Sequence, residues 1–181
     1  MARIKAVFHY AASAGIRKTL AAAENDCLTV EICAEGDDDH LFKLIANADV
    51  LWHVLQPATA EVIAAAPKLK LIQKIGVGVN TIDLEAARER DIVVCNMPGT
   101  NSQAVAEATV LLILSALRRG AAFHNATRRG KGWIMDPRIF DQIGEVSGRT
   151  IGLIGYGEVA RSEEQPSALQ SLAKLVCRLL P

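Results

Sequence analysis

One glycine motif in the chain has the spacing of a phosphate-binding turn. Gly155-Tyr156-Gly157-Glu158-Val159-Ala160 fits the pattern G-x-G-x-x-G/A and follows a predicted strand, Thr150 to Ile154. The first glycine permits a tight turn, and the second lets the backbone approach a pyrophosphate. The next helix would offer N–H groups to the anion. The motif predicts cofactor binding at Gly155, Tyr156, Gly157, Glu158 and Val159; the alternative is an ordinary turn between strand and helix.

The residues after this motif depart from a complete dinucleotide fingerprint. An acidic residue that holds the ribose hydroxyls is expected about 20 positions further on, and Leu175 to Arg178 contain none. Pro166 would interrupt the helix expected to continue from Ala160. Ser167 to Leu180 is predicted to form a separate amphipathic helix. We therefore expect weak or no dinucleotide binding by this chain, and the sequence does not distinguish NAD from NADP.

Four histidines are candidates for acid–base chemistry. His9 and His53 lie near the carboxyl ends of predicted strands, at the edge that lines the ligand cleft in open α/β sheets. His53 either faces a ligand or is satisfied by the local backbone, whereas His40 and His124 are predicted to lie at helix ends. No partner can be placed for any of them, so no catalytic residue is assigned. Asp37 to Asp39 indicates a solvated helix start, and no metal site is predicted.

Strands and helices alternate through the first half of the chain. The predicted strands are Arg3 to Phe8, Cys27 to Cys33, Asp49 to Leu55, Leu69 to Ile75 and Ile92 to Cys95. The helices between them are Ile16 to Glu24, Asp37 to Asn47, Ala58 to Ala66 and Ile82 to Arg90. This order predicts an α/β fold, with a five-stranded parallel sheet over residues 1–98 and helices on both faces.

The pattern changes after Pro98. A long helix is predicted from Ser102 to Asn125, followed by a glycine-punctuated arm that contains Trp133 and Phe140. The helix is apolar over more than one stripe, and the arm has little local core to join. We expect these apolar surfaces to pack against a second copy of the chain, giving a homodimer, or to aggregate.

Composition narrows the classes of function. Half of the 181 residues are hydrophobic, and 20 basic residues balance 20 acidic ones. This balance disfavours a general nucleic-acid binder. No apolar run reaches the roughly 18 residues of a membrane span. Four cysteines without a CxxC pair are typical of a reducing compartment, so a cytoplasmic location is expected.

Together the motifs resemble a known enzyme family. The segment LKLIQKIGVGVNTIDLEAARERDIVVCNMPGTNSQAVAEATVLLILSALRR, with GEVSGRTIGLIGYGEVA further on, is similar to the D-isomer-specific 2-hydroxyacid dehydrogenases. That family includes phosphoglycerate, glycerate and formate dehydrogenases. The resemblance implies a flavodoxin-like substrate domain over 1–98. It also implies a linking helix, a dimer arm and the start of a Rossmann NAD-binding domain over 99–160, with an atypical tail over 161–181.

The resemblance also implies a reaction and a set of site residues. The reaction is reversible hydride transfer between C2 of a small 2-hydroxy or 2-oxo acid and NAD or NADP. Gly76, Val77 and Gly78 resemble the turn that binds the substrate carboxylate, because glycines expose successive backbone N–H groups to an anion. Asn101 falls where the family has a cleft-facing polar residue, and it is also suited to an N-cap.

The family's catalytic arginine, carboxylate and histidine cannot be placed on this sequence. They follow the glycine turn at a distance, and the family pattern stops near Ala160 or Arg161. The expectation is a chain truncated within its NAD-binding domain that does not turn over by itself. The readings that stay open are a dehydrogenase subunit, a catalytically dead fragment that acts as a binding module, and an interaction protein. The sequence does not select the 2-hydroxy acid.

Overall fold

A computed structural model describes residues 3–133, 136–152, 154, 155 and 157. The chain divides into two compact units, Met1–Pro98 and Gly99–Pro181. The predicted helix from Ser167 to Leu180, the interruption at Pro166 and the missing ribose acid lie outside the described residues. Within the described part, no helix is both long and apolar enough to cross a bilayer.

The first unit is a five-stranded parallel sheet, as predicted. Its strands are β1 (Ile4–His9), β2 (Leu28–Cys33), β3 (Val50–His53), β4 (Leu71–Lys74) and β5 (Val93–Cys95). Every neighbouring pair is parallel, in the order β2-β1-β3-β4-β5. The connecting helices are α1 (Ala14–Ala23), α2 (Asp38–Ile45), α3 (Ala60–Ala64) and α4 (Leu84–Glu89).

Each of these helices begins at a short polar side chain that caps it. The side chains of Ser13, Asp37, Thr59 and Asp83 accept hydrogen bonds from backbone N–H groups in the first turn of α1 to α4. Such caps satisfy donors that have no partner inside the helix. The local sequence therefore defines where each helix begins and where the preceding loop ends.

The helices cover the two faces of the sheet unequally. Right-handed crossovers place α2, α3 and α4 on one face, because those connections run toward β5, and α1 on the other. The first face, here called the covered face, carries Val7, Leu51 and Ile72 side by side, each at most 2% exposed. They pack with α2, α3 and α4 in one hydrophobic core.

The opposite face, here called the open face, is less protected. Ala6 and Phe8 of β1 are buried there, but Val50 and Leu71 are only half-buried and Val93 is 58% exposed. Helix α1 buries none of its residues. The core of the first unit therefore lies on the covered face.

The second unit corrects one prediction about its helices. In place of one helix from Ser102 to Asn125, the structure has α5 (Ser102–Leu117) and α6 (Gly120–Arg128). Arg119 between them has a φ of 51°, which breaks the helical path. A Cβ at Gly120 would lie 2.7 Å from Ser115 Oγ, so the close approach after the break requires glycine.

The strand predicted at Thr150 to Ile154 does not form over its described residues. Residues 150–152 belong to no strand, and Leu153 lies outside the description. Among the described residues the only sheet is that of the first unit. A strand persists by hydrogen bonding to a neighbour, and β-branched composition alone does not supply one. The short 3-10 helix Pro137–Asp141 precedes this segment.

Candidate anion-binding loop

The loop that follows β4 turns at the carboxyl edge of the sheet. Ile75 donates its N–H to His53 O at 2.8 Å, which carries the parallel pairing one residue beyond the strand. Gly76 then adopts a φ of 151°, which L side chains rarely adopt. A Cβ at Gly78 would lie 3.0 Å from Asn80 Oδ1. The backbone at Gly76 therefore favours glycine, whereas a side chain at Gly78 would require a small shift of the Asn80 amide.

Two carbonyls of the loop are held from one side. Gly76 O accepts the N–H of Met97 at 2.9 Å, and Val77 O accepts Asn96 Nδ2 at 2.8 Å. In a trans peptide the N–H points opposite to the C=O. The N–H groups of Val77 and Gly78 are thus directed away from residues 96 and 97. Within the described part of the chain neither donates to a protein acceptor.

The loop consequently presents two consecutive backbone N–H groups on an exposed turn. Val77 is 45% exposed, and Gly78 is exposed as well. Adjacent N–H groups that face the same way form a concavity suited to an anionic oxygen, such as that of a carboxylate or a phosphate. The predicted substrate-binding residues Gly76, Val77 and Gly78 therefore have a geometry that can bind an anion.

A row of buried polar side chains lies beside this loop. His9, His53 and Lys74 are the last residues of β1, β3 and β4, and the strand register sets them side by side on the covered face. They are 2%, 0% and 6% exposed. The predicted position of His9 and His53 at the carboxyl ends of strands is confirmed. Both are buried beneath the edge.

Thr81 connects two members of this row. Its Oγ1 lies 2.8 Å from His53 Nε2 and accepts a hydrogen bond from Lys74 Nζ at 3.3 Å. Lys74 Nζ also donates to Val54 O, in the loop that follows β3. The sequence left open whether His53 faces a ligand or is satisfied by the local backbone. In the structure its partner is the side chain of Thr81.

Burial controls the protonation of the row. Desolvation lowers the pKa of His9, against the opposing influence of Glu35, Gln56 and Asp38. Burial, the Lys74 charge and His9 together lower the pKa of His53 to about 4. Burial also lowers the pKa of Lys74. Both imidazoles are therefore neutral near pH 7, and Lys74 holds the positive charge of the row.

Asn101 belongs to the second unit and occupies the N-cap position of α5. Its side chain makes no capping hydrogen bond and is exposed. Asn101 is therefore the N-cap residue of α5, as predicted, but its side chain does not cap the helix. The amide of Asn101 is left accessible for another polar contact.

The predicted cofactor turn is described only in part. Gly155 has a φ of 90°, and a Cβ at Gly155 or at Gly157 would meet no atom within 4 Å. The backbone at Gly155 meets the first requirement of a pyrophosphate turn, which is a residue free to adopt positive φ. Tyr156, Glu158 and Val159 lie outside the described residues. In the ranges that the structure covers, no cluster of metal-binding side chains is found.

Sequence reasoning missed Lys74 and Thr81. Lys74 lies two residues after Ile72, which places both on the same face of β4, and Ile72 is fully buried. A lysine at a buried period-two position was therefore the available signal. Thr81 had no such signal, because its role depends on a loop approaching His53 from another element.

Comparison with known proteins identifies the family. A model of the D-isomer specific 2-hydroxyacid dehydrogenase catalytic domain matches residues 6–178. A D-3-phosphoglycerate dehydrogenase of Methanocaldococcus jannaschii is 39% identical over 135 residues, which cover 73% of this chain and 25% of that protein. One from Mycobacterium tuberculosis is 35% identical over 143 residues, covering 77% and 26%.

A solved structure also resembles the chain. The NAD-dependent formate dehydrogenase from Staphylococcus aureus, in complex with NAD, has a TM-score of 0.76 and 26% identity. The match covers 96% of this chain and 54% of that one. The chain thus spans about a quarter of the two phosphoglycerate dehydrogenases and about half of the formate dehydrogenase.

Proposed function

We propose that this chain, which belongs to the D-isomer specific 2-hydroxyacid dehydrogenase family, binds the carboxylate of a small 2-hydroxy or 2-oxo acid on its glycine loop. The reaction it serves is oxidation or reduction at C2 of that acid. The observation that carries the proposal is the pair of N–H groups at Val77 and Gly78. They face away from Asn96 and Met97, which donate to the carbonyls of the loop, and they lie on an exposed turn.

The proposed cofactor is a nicotinamide dinucleotide. Gly155 and Gly157 would lie against its pyrophosphate, with Tyr156, Glu158 and Val159 completing the turn. Support comes from the positive φ of Gly155, the space beside both glycines, and the NAD bound by the formate dehydrogenase that the chain resembles. When bound, the nicotinamide supplies the hydride acceptor or donor. Weak binding of NAD or NADP by this chain stays our prediction.

Within this proposal Asn101 is a substrate-binding residue. Its exposed amide has no capping bond that would occupy it. No catalytic residue is proposed, because the family's catalytic arginine, carboxylate and histidine cannot be placed on this sequence. We therefore expect no turnover by the isolated chain, and the alternative of a binding module without turnover stays open.

The partner proposed for the second unit is another copy of this chain. Helix α5 leaves Leu111 and Leu112 66% and 67% exposed, and Trp133 and Phe140 are 97% and 60% exposed. Exposed apolar side chains of this size favour association. Light scattering should show dimers for the wild-type chain and monomers for the double variant Leu111→Gln/Leu112→Gln. A monomeric wild-type chain would contradict the proposed dimer.

We also propose that the chain resides in a reducing compartment, because Cys27, Cys33 and Cys95 are free thiols.

The test of the proposed function is a binding experiment on the loop. Glyoxylate, pyruvate and hydroxypyruvate are titrated into the ¹⁵N-labelled chain, and the amide resonances of Val77 and Gly78 are followed. We expect saturable shifts at both amides with at least one acid. The matched variant is Gly76→Ala, which places a side chain on a backbone at φ 151° and should weaken the shifts. Unchanged amides at all acid concentrations would contradict the function.

A further inference from the structure

We infer that Lys74 is a positioning residue for the carboxylate site: its buried ammonium holds the glycine loop in place and supplies the positive charge that selects an anion there. This inference rests on the proposed function. It assigns a further residue to the site. It also explains why the site would prefer a carboxylate to an uncharged group.

The first support is the position of the lysine stem. Lys74 ends β4, two residues before Gly76, and its side chain turns toward the covered face. A Cβ at Gly76 would lie 3.4 Å from Lys74 Cε. The stem therefore packs directly against the first glycine of the loop, and a change in the stem is felt by the loop backbone.

The second support is the set of bonds that the ammonium makes. Val54 O and Thr81 Oγ1 accept from Lys74 Nζ, and these groups belong to the loops after β3 and β4. The backbone reinforces the same connection, because Ala58 donates its N–H to Thr81 O at 2.9 Å. Lys74 thus ties both ends of the glycine loop to the neighbouring β3–α3 connection.

The third support is the absence of a counter-ion. Among the residues that the structure describes, no carboxylate lies within ion-pair distance of Lys74, although the side chain is only 6% exposed. A buried charge without a partner is costly to fold. The other members of the row are neutral imidazoles. An anion bound by Val77 and Gly78 would supply the charge that Lys74 lacks.

The test compares a charged ligand with its uncharged analogue. Pyruvate carries a carboxylate where pyruvamide carries an uncharged amide. The dissociation constant of pyruvamide divided by that of pyruvate therefore measures the preference for charge. We expect Lys74→Met to lower that ratio by roughly tenfold, the effect of removing a unit charge beneath a partly buried site. Lys74→Arg should retain most of the preference. Lys70→Met is the matched control, because Lys70 precedes β4 and its side chain is 82% exposed.

A pH series makes the test independent of how the variants fold. Burial lowers the pKa of Lys74 below the ordinary lysine value of about 10.4, so the wild-type preference for pyruvate should weaken as pH rises toward that value and the ammonium loses its proton. His53 and His9, which face Lys74 from β3 and β1, are already neutral there. Lys74→Arg should keep the preference over the same range.

The outcomes separate the two proposals. Wild-type chain that binds neither ligand, or binds both equally, contradicts the proposed function and the role of Lys74 with it. Wild-type chain that prefers pyruvate while Lys74→Met keeps the same ratio overturns the role of Lys74 alone. Weaker binding of both ligands with an unchanged ratio would show that Lys74 only stabilises the loop, and this also overturns the charge-selecting role.

Discussion

The two faces of the parallel sheet differ in how they are packed. On the covered face Val7, Leu51 and Ile72 contact three helices and are essentially inaccessible. On the open face the neighbouring Val50 and Leu71 are half-buried, and no residue of α1 is itself buried. The row of His9, His53 and Lys74 continues the covered face to the sheet edge. The comparison shows that the candidate site stands on the densely packed side.

Truncating one residue on each face of the same strand should reveal this difference most strongly. Ile72→Ala removes a fully buried side chain and should lower the free energy of unfolding by about 3 kcal/mol, through lost burial and the remaining cavity. Leu71→Ala, its half-buried neighbour, should cost about 1 kcal/mol. Urea denaturation measures both. Equal losses would contradict the unequal packing of the faces.

Acid should destabilise the covered face through its buried imidazoles. The pKa of His53 is lowered to about 4, so the folded state resists a proton that the unfolded chain accepts near pH 6.5. Its contribution to stability is complete above about pH 6.5 and is lost as pH falls toward about 4, in total about 3 kcal/mol. His9 acts in the same direction.

His53→Gln tests this linkage. Glutamine does not titrate, and its side chain can retain a hydrogen bond to Thr81 Oγ1. Unfolding of this variant should depend less steeply on pH between about 6.5 and about 4 than unfolding of the wild type. Identical slopes for His53→Gln and the wild type would refute the assignment.

A smaller effect is expected from substituting the loop glycine above the row. Gly76→Ala places a Cβ on a backbone at φ 151° and should cost about 1–2 kcal/mol. Gly130→Ala, at φ 71° after α6, should cost a similar amount. Thermal unfolding should show comparable losses, while only Gly76→Ala weakens binding of the 2-oxo acid. Equal binding of the acid by the two variants would contradict a role of the glycine loop in the binding site.

The smallest effect should come from the margin of the open face. Val93 on β5 is 58% exposed, so Val93→Thr should change the free energy of unfolding by less than about 0.5 kcal/mol. Val7→Thr, at the centre of the covered face, is the matched variant and should cost several times more, because it buries a hydroxyl. Comparable losses would mean that Val93 is buried by an association of the chain.

Much of the first unit was predictable because its signals are local. The short apolar strands and the helical segments between them can each be recognised within a few residues, and their strict alternation gives the order of the elements. They predicted the five-stranded parallel sheet. The same local reasoning failed at Arg119, where composition indicates one long helix and the φ of 51° at Arg119 divides it.

The candidate site divides in the same manner. The glycines of the loop and the strand-end positions of His9 and His53 follow from sequence, since a turn must succeed each apolar strand. The contact of Thr81 with His53, and the approach of Lys74 to Val54, join residues 28 and 20 positions apart. Such contacts arise from the order β1-β3-β4 in the sheet, which no local pattern specifies.

The sequence alone predicts the sheet and helices of the first unit, the family resemblance and the glycine turns that can meet an anion, because backbone preferences and motifs act over short distances. The burial of the two histidines and of Lys74 follows from tertiary packing. Burial and desolvation depend on the packing of neighbouring strands and helices, and they control which of the polar residues at the sheet edge can carry charge.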